Sequence, residues 1–480
     1  MKRGLILTIL IAVLVFGAFL RLDHINDESL WLDEGITYYN SSGESFTEIW
    51  DKTAKLDQSP PFYYFITHGY LEIFGENEFG FRFISVIFGV LSILFLYLLM
   101  ANMFNRETGV FAAYLLAINP FHIGFSIESR MYMLLTLEAI MAFYFLYKAL
   151  THESRGYGWW FGFTVTSILG LYTHNFFFFV LAAFAFVFLV LWINSKKKTG
   201  KLLMGILSSL VLIISYIPWF PNFLKQLQVD RYWMAPNSWA DLKNYFLDFA
   251  NDSSYILLAI IFLIVVGIIW SFSRIRSLEY KKGIFASLSL IVFIFVGIGL
   301  PFTYSIIFEP ILKIRYVVYL LPIFISLTAI GLYALRRFHI IFPIFILIAA
   351  TYLFSPWQAS AYPAEFGEDY RKLDVIVSKD PDPVIVHTPS IAHVINFYNK
   401  GLYEIYPFPY SDDLTEYNID KNHRSKFIDL LRDFISFYLV ISHTHENPPG
   451  LLYIWSDSVC DESYEIDVKG MQVYHFSACR

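Results

Sequence analysis

The sequence is poor in charge. Lys, Arg, Asp and Glu together make up 16% of the 480 residues, whereas hydrophobic residues make up 56% and aromatic residues 19%. This composition excludes an ordinary soluble enzyme, because a soluble surface carries more charged side chains than this chain can supply. It predicts a polytopic α-helical membrane protein, for which the bilayer is the solvent.

A cleavage site is missing after the first apolar segment. Residues 4–20 follow Lys2 and Arg3, as in a signal peptide, but no small-residue motif precedes the polar loop. The segment is therefore expected to remain as the first span. About 20 mostly apolar residues cross a bilayer, and eleven segments of this kind are present. These predicted spans cover residues 4–20, 80–103, 108–124, 129–150, 157–173, 175–194, 201–219, 254–272, 284–306, 315–334 and 338–355.

The short loops between the predicted spans indicate the orientation in the cell membrane. With a cytoplasmic amino terminus, alternate loops carry the basic residues, as the positive-inside rule requires. These residues are Arg106, Lys148, Arg155, Lys196, Lys197, Lys198, Lys201, Arg274, Arg276, Lys281, Lys282, Arg336 and Arg337. An odd number of spans then predicts that the last part of the chain lies outside. The predicted division is a transmembrane domain at 1–355, with its first external loop at 21–79, and an extracytoplasmic domain at 356–480.

The carboxy-terminal region has no excess of basic residues. From Pro356 onward it holds 19 Asp and Glu against 10 Lys and Arg, a balance of −9, so it is not a nucleic-acid binder. Strands alternate there with helices, which predicts a parallel α/β sheet covered on both faces. The predicted strands are Val384–His387, Tyr403–Tyr406 and Phe437–Ile441, and the predicted helices cover 369–379, 390–399 and 423–434.

The only two cysteines lie near the end of the chain. A hairpin is expected from Tyr464 to Val468, returning as Met471 to Phe476 around Lys469 and Gly470. In that register the numbers of opposed residues sum to 939, and Cys460 plus Cys479 also gives 939. The pair is expected to face each other outside the cell, where disulfide bonds persist.

The first external loop contains two adjacent carboxylates, Asp33 and Glu34, directly after the apolar stretch Leu30–Leu32. One interpretation is that they cap the helix that follows. The other is that desolvation near the membrane surface makes one of them a proton acceptor. Two short interfacial helices are expected later in the loop, at 46–50 and 61–66, where aromatic and polar residues alternate at roughly helical spacing.

Other polar residues fall at the external ends of the predicted spans. Arg82 is either a snorkelling residue or part of a site, and Arg130 either anchors an interface, pairs with Glu128 or binds a phosphate. Glu138 lies inside a predicted span, where an ionisable group indicates either function or a structural pairing, for example with Arg82. Lys313 and Arg315 are unusual outside the membrane and suit an anionic partner. His174 has no second histidine or cysteine at metal-ligand spacing, so no metal site is assigned.

Taken in order, these motifs resemble a known family. They are Leu30-Trp31-Leu32-Asp33-Glu34, Ser59-Pro60-Pro61-Phe62-Tyr63-Tyr64, Phe81-Arg82-Phe83, Asn119-Pro120-Phe121-His122, Glu128-Ser129-Arg130-Met131-Tyr132, Tyr172-Thr173-His174 and Arg315-Tyr316. The order is similar to that in the polyprenyl-phosphate-dependent GT-C glycosyltransferases, glycosyltransferase family 39, which includes protein O-mannosyltransferases and the lipid A aminoarabinose transferase. The resemblance covers nearly the whole membrane region.

The resemblance implies an inverting hexosyl- or pentosyltransferase of the cell envelope. The donor would be a sugar on dolichyl or undecaprenyl phosphate, and the acceptor an external lipid, glycan or protein. Asp33 would be the catalytic carboxylate, with Glu34 orienting the acceptor or Asp33. Chemistry agrees, because the departing lipid phosphate needs positive charge around it. Arg130, Arg315 and Lys313 are the external candidates to bind that phosphate, and the predicted substrate pocket includes Tyr63, Tyr64, Arg82, Glu128, Tyr132, His174 and Tyr316. No cofactor is required, although a divalent metal is compatible with such a site.

Two other functions are compatible with the sequence. A transporter or flippase of lipid-linked sugars would carry charged residues at mid-membrane and repeated half-sequences, whereas only Glu138 lies clearly inside a span. A non-catalytic relative would act as a receptor or scaffold. One departure from the family pattern is Gln58-Ser59 before the Pro-Pro pair, where relatives often carry a basic residue or His.

Overall fold

A computed structural model describes residues 3–23, 25–56, 59–152, 156–228, 234, 236–273, 278–336, 367–387, 389–409, 423–442 and 450–480. Most of these residues are helical. The helices, in chain order, are α1 Arg3–Leu22, α2 Leu32–Ser41, α3 Phe46–Leu56, α4 Phe62–Phe74, α5 Glu78–Met103, α6 Arg106–Ile118, α7 Pro120–Ser126, α8 Tyr132–Thr151, α9 Tyr157–Thr173, α10 Phe177–Ile193, α11 Lys198–Tyr216, α12 Phe220–Gln226, α13 Trp239–Phe249, α14 Ser254–Ser273, α15 Leu278–Ile307, a 3-10 helix Ile314–Leu320, α16 Leu321–Leu335, α17 Tyr370–Val377, α18 Pro389–Asn399, α19 Arg424–Leu431 and α20 Gly450–Asp457.

Seven helices in the described part of the chain are long and apolar enough to cross a membrane, and eight if the bent pair α6–α7 is one span. The sequence predicts eleven spans, and ten of these segments form helices at nearly the predicted positions. The difference in number arises partly because α9 and α10 have only 17 residues each. The predicted span at 338–355 lies outside the described residues.

The chain divides into two compact units. The membrane unit comprises the described residues of Met1–His24, Gln58–Tyr63 and Arg82–Ala361, and the α/β unit those of Ile25–Asp57, Tyr64–Phe81 and Tyr362–Arg480. This division differs from the predicted boundary at residue 355. Most of the loop at residues 21–79 belongs to the same unit as the carboxy-terminal domain, because Leu30, Leu71 and Phe81 share a hydrophobic core with Tyr370 and Val440.

A buried arginine stabilises the break between α6 and α7 in the membrane unit. The two helices meet at 64°, where Pro120 lacks the N–H that would continue the first helix. Arg21, at the end of α1, donates to the Ala117 carbonyl at 3.0 Å and to Ser126 Oγ at 3.1 Å. Its Nη2 also lies 2.7 Å from His122 Nδ1. These contacts satisfy polar groups that the break exposes, so the Asn-Pro-Phe-His motif has a structural role here.

The α/β unit contains a five-stranded mixed sheet in the order β2-β1-β3-β5-β4. Its strands are β1 Val384–His387, β2 Ile405–Phe408, β3 Phe437–Ile441, β4 Cys460–Val468 and β5 Met471–Cys479. The predicted parallel pairing holds for β1 with β2 and β3, whereas β5 is antiparallel to β3 and β4, so the sheet is mixed rather than parallel. The prediction was correct for the first and third strands and two residues too early for the second. The side chain of Asn399 binds both the N–H and the carbonyl of Tyr403. Tyr403 therefore belongs to a turn and not to the second strand.

Alternating side chains of the sheet enter two separate cores. Val384 and Val386 pack on one face with α17 and α18 residues, and Ile385 packs on the other with Phe427 and Trp455. Both faces are therefore covered, as predicted. The final hairpin also has the predicted register: Tyr464 opposes His475, Cys460 opposes Cys479, and a disulfide bond joins the two cysteines.

Candidate active site

The acidic pair lies in the first turn of α2, in the α/β unit. Helix α2 begins at Leu32, so Asp33 and Glu34 are near its positive end, where carboxylates are favourable. Glu34 is fully buried, and its Oε2 accepts a hydrogen bond from the Trp31 backbone N–H at 3.3 Å. Asp33 is only partly buried. The two carboxylates therefore differ: Glu34 caps its own helix, whereas the side chain of Asp33 is the more accessible to a substrate.

The predicted phosphate-binding residues come together in the membrane unit. Arg130 lies just before α8, and Lys313 and Arg315 lie at the start of the 3-10 helix, two elements that pack against each other. The guanidinium of Arg130 lies 5.9 Å from the ring centroid of Tyr132, and that ring lies 6.2 Å from the ring of Tyr316. Three cationic side chains and two aromatic rings, separated by about 180 positions in the sequence, thus form one cluster.

His174 joins this cluster from the end of α9. Its ring lies 5.2 Å from Tyr316 and 6.2 Å from Tyr132, centroid to centroid. Burial, together with the charges of Arg130 and Arg315, lowers the pKa of His174 to about 3. Its Nδ1 accepts a hydrogen bond from the Phe176 backbone N–H at 3.0 Å, so the proton of the neutral ring is on Nε2. His174 is therefore a neutral hydrogen-bond donor close to positively charged side chains.

The same electrostatic pattern extends to Lys313. Burial and the charge of Arg315 lower the pKa of Lys313, and Asp241 partly offsets this effect. Like charges in a partly buried cluster repel one another, so the cluster would be stabilised by an anion. A phosphate suits these donors because guanidinium groups bind its oxygens in a planar, bidentate geometry.

A chain of hydroxyl groups connects Tyr63 to this region. Tyr63 Oη lies 2.9 Å from Ser85 Oγ and 3.3 Å from Ser129 Oγ, and Ser85 Oγ donates to the Arg130 carbonyl at 3.4 Å. Sequence reasoning did not select the two serines, although Ser129 lies between Glu128 and Arg130 in the quoted motif. The phenol of Tyr63 is therefore held beside the backbone of Arg130.

Other predicted residues are buried, in both units. Arg82 and Glu128 are 4% and 2% exposed in the membrane unit, so Arg82 does not extend into solvent. Glu138 accepts a hydrogen bond from Thr173 Oγ1 at 3.0 Å, directly before His174, whereas the sequence suggested Arg82 as its partner. Tyr64 is fully buried and belongs to the α/β unit, unlike its neighbour Tyr63.

One group of possible metal ligands occurs in the described part of the chain. Asp380, Asp382 and His475 of the α/β unit place their ligand atoms within 4.8 Å of one another, and His475 Nε2 lies 2.8 Å from Asp382 Oδ2. The Asp-x-Asp spacing was the available sequence signal. Neither Asp33 nor Glu34 belongs to this group.

Comparisons with known proteins agree with the fold described above. A family model for dolichyl-phosphate-mannose-protein mannosyltransferases matches residues 58–219, about a third of the chain. ArnT from Cupriavidus metallidurans has a similar structure, with a TM-score of 0.67 and 14% identity, and the match covers 98% of this chain and 97% of that one. This is the fold of the GT-C glycosyltransferases. The oligosaccharyltransferase AglB from Archaeoglobus fulgidus has it too, with a TM-score of 0.59 and 13% identity over 100% of this chain and 75% of that one.

The long apolar helices indicate an integral membrane protein. A curated relative from Proteus mirabilis, undecaprenyl phosphate-alpha-4-amino-4-deoxy-L-arabinose arabinosyl transferase 2, is 28% identical over 227 residues. The match covers 45% of this chain but only 40% of that relative's length. Residues 58–219 include Arg130, Tyr132 and His174 but neither Asp33 nor Arg315, so the family match does not extend to the last two residues.

Proposed function

We propose that the protein is an inverting glycosyltransferase that moves a sugar from a polyprenyl phosphate to an acceptor on the external face of the cell membrane. The observation that carries this proposal is the cluster of Arg130, Lys313, Arg315 and His174 in a GT-C fold. When the bond between the sugar and the phosphate breaks, negative charge collects on the departing lipid phosphate. Preorganised positive charge and a hydrogen-bond donor lower the barrier of that step.

The acceptor hydroxyl must lose a proton as it attacks the anomeric carbon, and we assign this proton to Asp33. A carboxylate within hydrogen-bond distance of the hydroxyl is a suitable general base. Attack from the side opposite the phosphate forms the new glycosidic bond as the old one breaks, which inverts the configuration. Glu34 has its carboxylate engaged at the start of α2, so its role in this proposal is to hold Asp33 in place.

The donor lipid is a dolichyl or undecaprenyl phosphate. A structure of ArnT from Cupriavidus metallidurans was obtained with undecaprenyl phosphate bound, and one of AglB with a dolichol phosphate. The acceptor is a lipid, glycan or protein. In the proposed orientation the amino terminus is cytoplasmic and the α/β unit is external, because basic residues concentrate in the loops assigned to the cytoplasmic side.

The test uses the full-length protein in lipid vesicles with two donors, dolichyl-phosphate mannose and undecaprenyl-phosphate aminoarabinose. Lipids and proteins are supplied as acceptors. Mass spectrometry of these acceptors, with and without the enzyme, measures polyprenyl phosphate release and glycosylated product. Asp33→Asn is expected to lower the rate about 10³-fold, within the range known for general bases. Asp51→Asn, which removes an exposed carboxylate of the same unit, serves as the matched control and should keep full activity.

Full activity of Asp33→Asn would eliminate the proposed mechanism. Movement of a lipid-linked sugar across the vesicle membrane with no glycosylated product would favour a transporter or flippase instead. Product formation that the Asp33 variant abolishes, with intact binding of undecaprenyl phosphate, supports the glycosyltransferase.

A further inference from the structure

Helix α2, which carries Asp33, packs directly on helix α18 of the carboxy-terminal domain. The two helices meet at Gly35. A Cβ added at this glycine would lie 2.4 Å from Val394 Cγ2, 2.8 Å from the Val394 backbone nitrogen and 3.1 Å from its Cα. Carbon atoms in contact are normally about 3.5 to 4 Å apart. Only glycine therefore permits this approach, and part of the obstruction is backbone, which cannot rotate away.

Further contacts fix α2 on both sides of Gly35. The Leu30 backbone N–H donates to Tyr398 Oη at 2.8 Å. The Tyr38 ring lies edge-on to the Phe397 ring at a centroid distance of 5.1 Å, and the Tyr39 ring stacks on His393 at 4.0 Å. Four residues of α18, spread over about one and a half helical turns, thus contact the start, middle and end of the segment. Such a set of contacts defines both the position of α2 and its rotation about its own axis.

The carboxylate of Glu78 adds further contacts with the carboxy-terminal domain. Glu78, at the start of α5, accepts a hydrogen bond from Tyr398 Oη, the same hydroxyl that binds Leu30, and pairs with Arg371 of α17, whose Nε lies 3.2 Å from Glu78 Oε1. Ser29 Oγ donates to the Glu368 carbonyl at 2.6 Å. The Ser29 contact therefore holds the chain just before α2 on the carboxy-terminal domain, independently of the packing of α2 on α18.

The geometry of α2 determines which of its side chains face away from α18. Successive residues of an α-helix are about 100° apart around the axis, so Asp33 and Gly35 lie on nearly opposite sides of α2. The side with Gly35 is covered by α18, and the side with Asp33 faces away from α18. The carboxylate is consequently displayed by a helix whose other side is fixed by residues about 360 positions later in the sequence.

We infer that the carboxy-terminal domain positions the catalytic carboxylate, and that Gly35 is the positioning residue through which it does so. The inference rests on the proposed function, because it assigns a purpose to the exact placement of Asp33. Catalytic groups lose efficiency steeply when they move, and a misplacement of about 1 Å can cost about 10²-fold in rate. A methyl group at Gly35 would displace α2 by roughly this distance, since about 1 Å separates the 2.4 Å approach from a normal contact.

The experiment compares Gly35→Ala with Gly69→Ala in the full-length protein. Gly69 lies in α4 of the same unit, and a Cβ there meets nothing within 4 Å. Alanine normally stabilises a helix relative to glycine, so a loss at Gly35 would reflect its contact with Val394. We expect Gly35→Ala to lower kcat about 10- to 100-fold with the donor KM unchanged, because the proposed phosphate-binding residues belong to the membrane unit. Gly69→Ala should retain the parental kcat.

A double variant separates positioning from misfolding. Gly35→Ala combined with Val394→Ala removes the side-chain part of the obstruction and should recover part of the lost kcat, but not all of it, because the backbone nitrogen of residue 394 remains. Rates are normalised to protein that binds undecaprenyl phosphate and retains the disulfide on a non-reducing gel. An unchanged kcat in Gly35→Ala, or no recovery in the double variant, would overturn the inference. An active Asp33→Asn enzyme would instead remove the proposed function itself, so the two failures are distinguishable.

Discussion

The two units of this protein place their charged groups by different physical means. In the membrane unit, Arg130 and Arg315 lie within two residues of a helix start, beside Tyr132 and Tyr316, so the sequence neighbours already define much of their surroundings. In the α/β unit, Asp33 also lies at a helix start, but its helix is held by contacts with residues as far as 368 positions away. The cationic cluster is thus assembled from the ends of membrane helices, whereas the carboxylate depends on a folded domain.

Because the cationic cluster and Asp33 depend on different contacts, phosphate binding and sugar transfer can be disturbed separately. Changes in the cationic cluster should alter binding of the lipid phosphate and leave the α/β unit folded. Changes in the α/β unit should alter the rate of transfer and leave phosphate binding intact. The following predictions test this separation.

The first prediction concerns the guanidinium groups. Arg130→Gln or Arg315→Gln should weaken binding of undecaprenyl phosphate about 30-fold each, because a hydrogen bond to a charged group is worth about 2 kcal/mol. Titration calorimetry in detergent measures the Kd. Arg106→Gln, at an exposed helix start in the same unit, is the matched control and should bind normally. Equal affinities for all three variants would place the phosphate elsewhere.

The second prediction concerns the disulfide between β4 and β5. Replacing Cys460 and Cys479 together by Ser should destabilise the α/β unit by about 3 kcal/mol, because the bond closes a loop of 19 positions in the unfolded chain. Limited proteolysis over a urea gradient follows this unit by its cleavage fragments. Binding of undecaprenyl phosphate should persist at low urea. Unchanged protease resistance in the variant would contradict the expected stabilisation.

The third prediction distinguishes the cap from a second catalytic carboxylate. Glu34→Gln keeps an oxygen that can accept from the Trp31 N–H, and glutamine serves in capping positions as glutamate does. Its transfer rate should therefore stay within about threefold of the parent, whereas Glu34→Ala should lose about 1 kcal/mol of stability. A loss of transfer in Glu34→Gln as large as that in Asp33→Asn would instead show that the charge of Glu34 is needed.

The fourth prediction concerns pH. Burial of the His393 ring, together with the charge of Lys52, lowers its pKa to about 4, below the ordinary value of about 6.5. Between these values the unfolded chain binds more protons, so stability falls as pH decreases through this window and is unaffected above it. His393→Gln should flatten part of that dependence in thermal unfolding measured from pH 7 to pH 4. The slope should not vanish, because the lowered pKa of His174 acts in the same direction. An unchanged slope would exclude a contribution from His393.

Local patterns were sufficient for most of the architecture. Apolar runs predicted the positions of the described membrane helices within a few residues, because a span must be apolar wherever its neighbours lie. Strand patterns predicted Val384–His387 and Phe437–Ile441, and the sum of residue numbers predicted the register of the hairpin with its cysteine pair. The second strand was misplaced because the Asn399 side chain binds the Tyr403 backbone, a contact that residue types alone do not specify.

The sequence by itself determined that this is a membrane protein, which residues at the ends of its apolar segments are charged, and which carboxylates follow the first apolar segment. Only the tertiary structure decided that Glu34 caps its helix, that Arg130, His174, Lys313 and Arg315 form one cluster, and that the first loop folds with the carboxy-terminal domain. The physical reason is the range of the interactions. Hydropathy and charge act on neighbouring residues, whereas the approach of Gly35 to Val394 depends on the packing of two helices that no local pattern brings together.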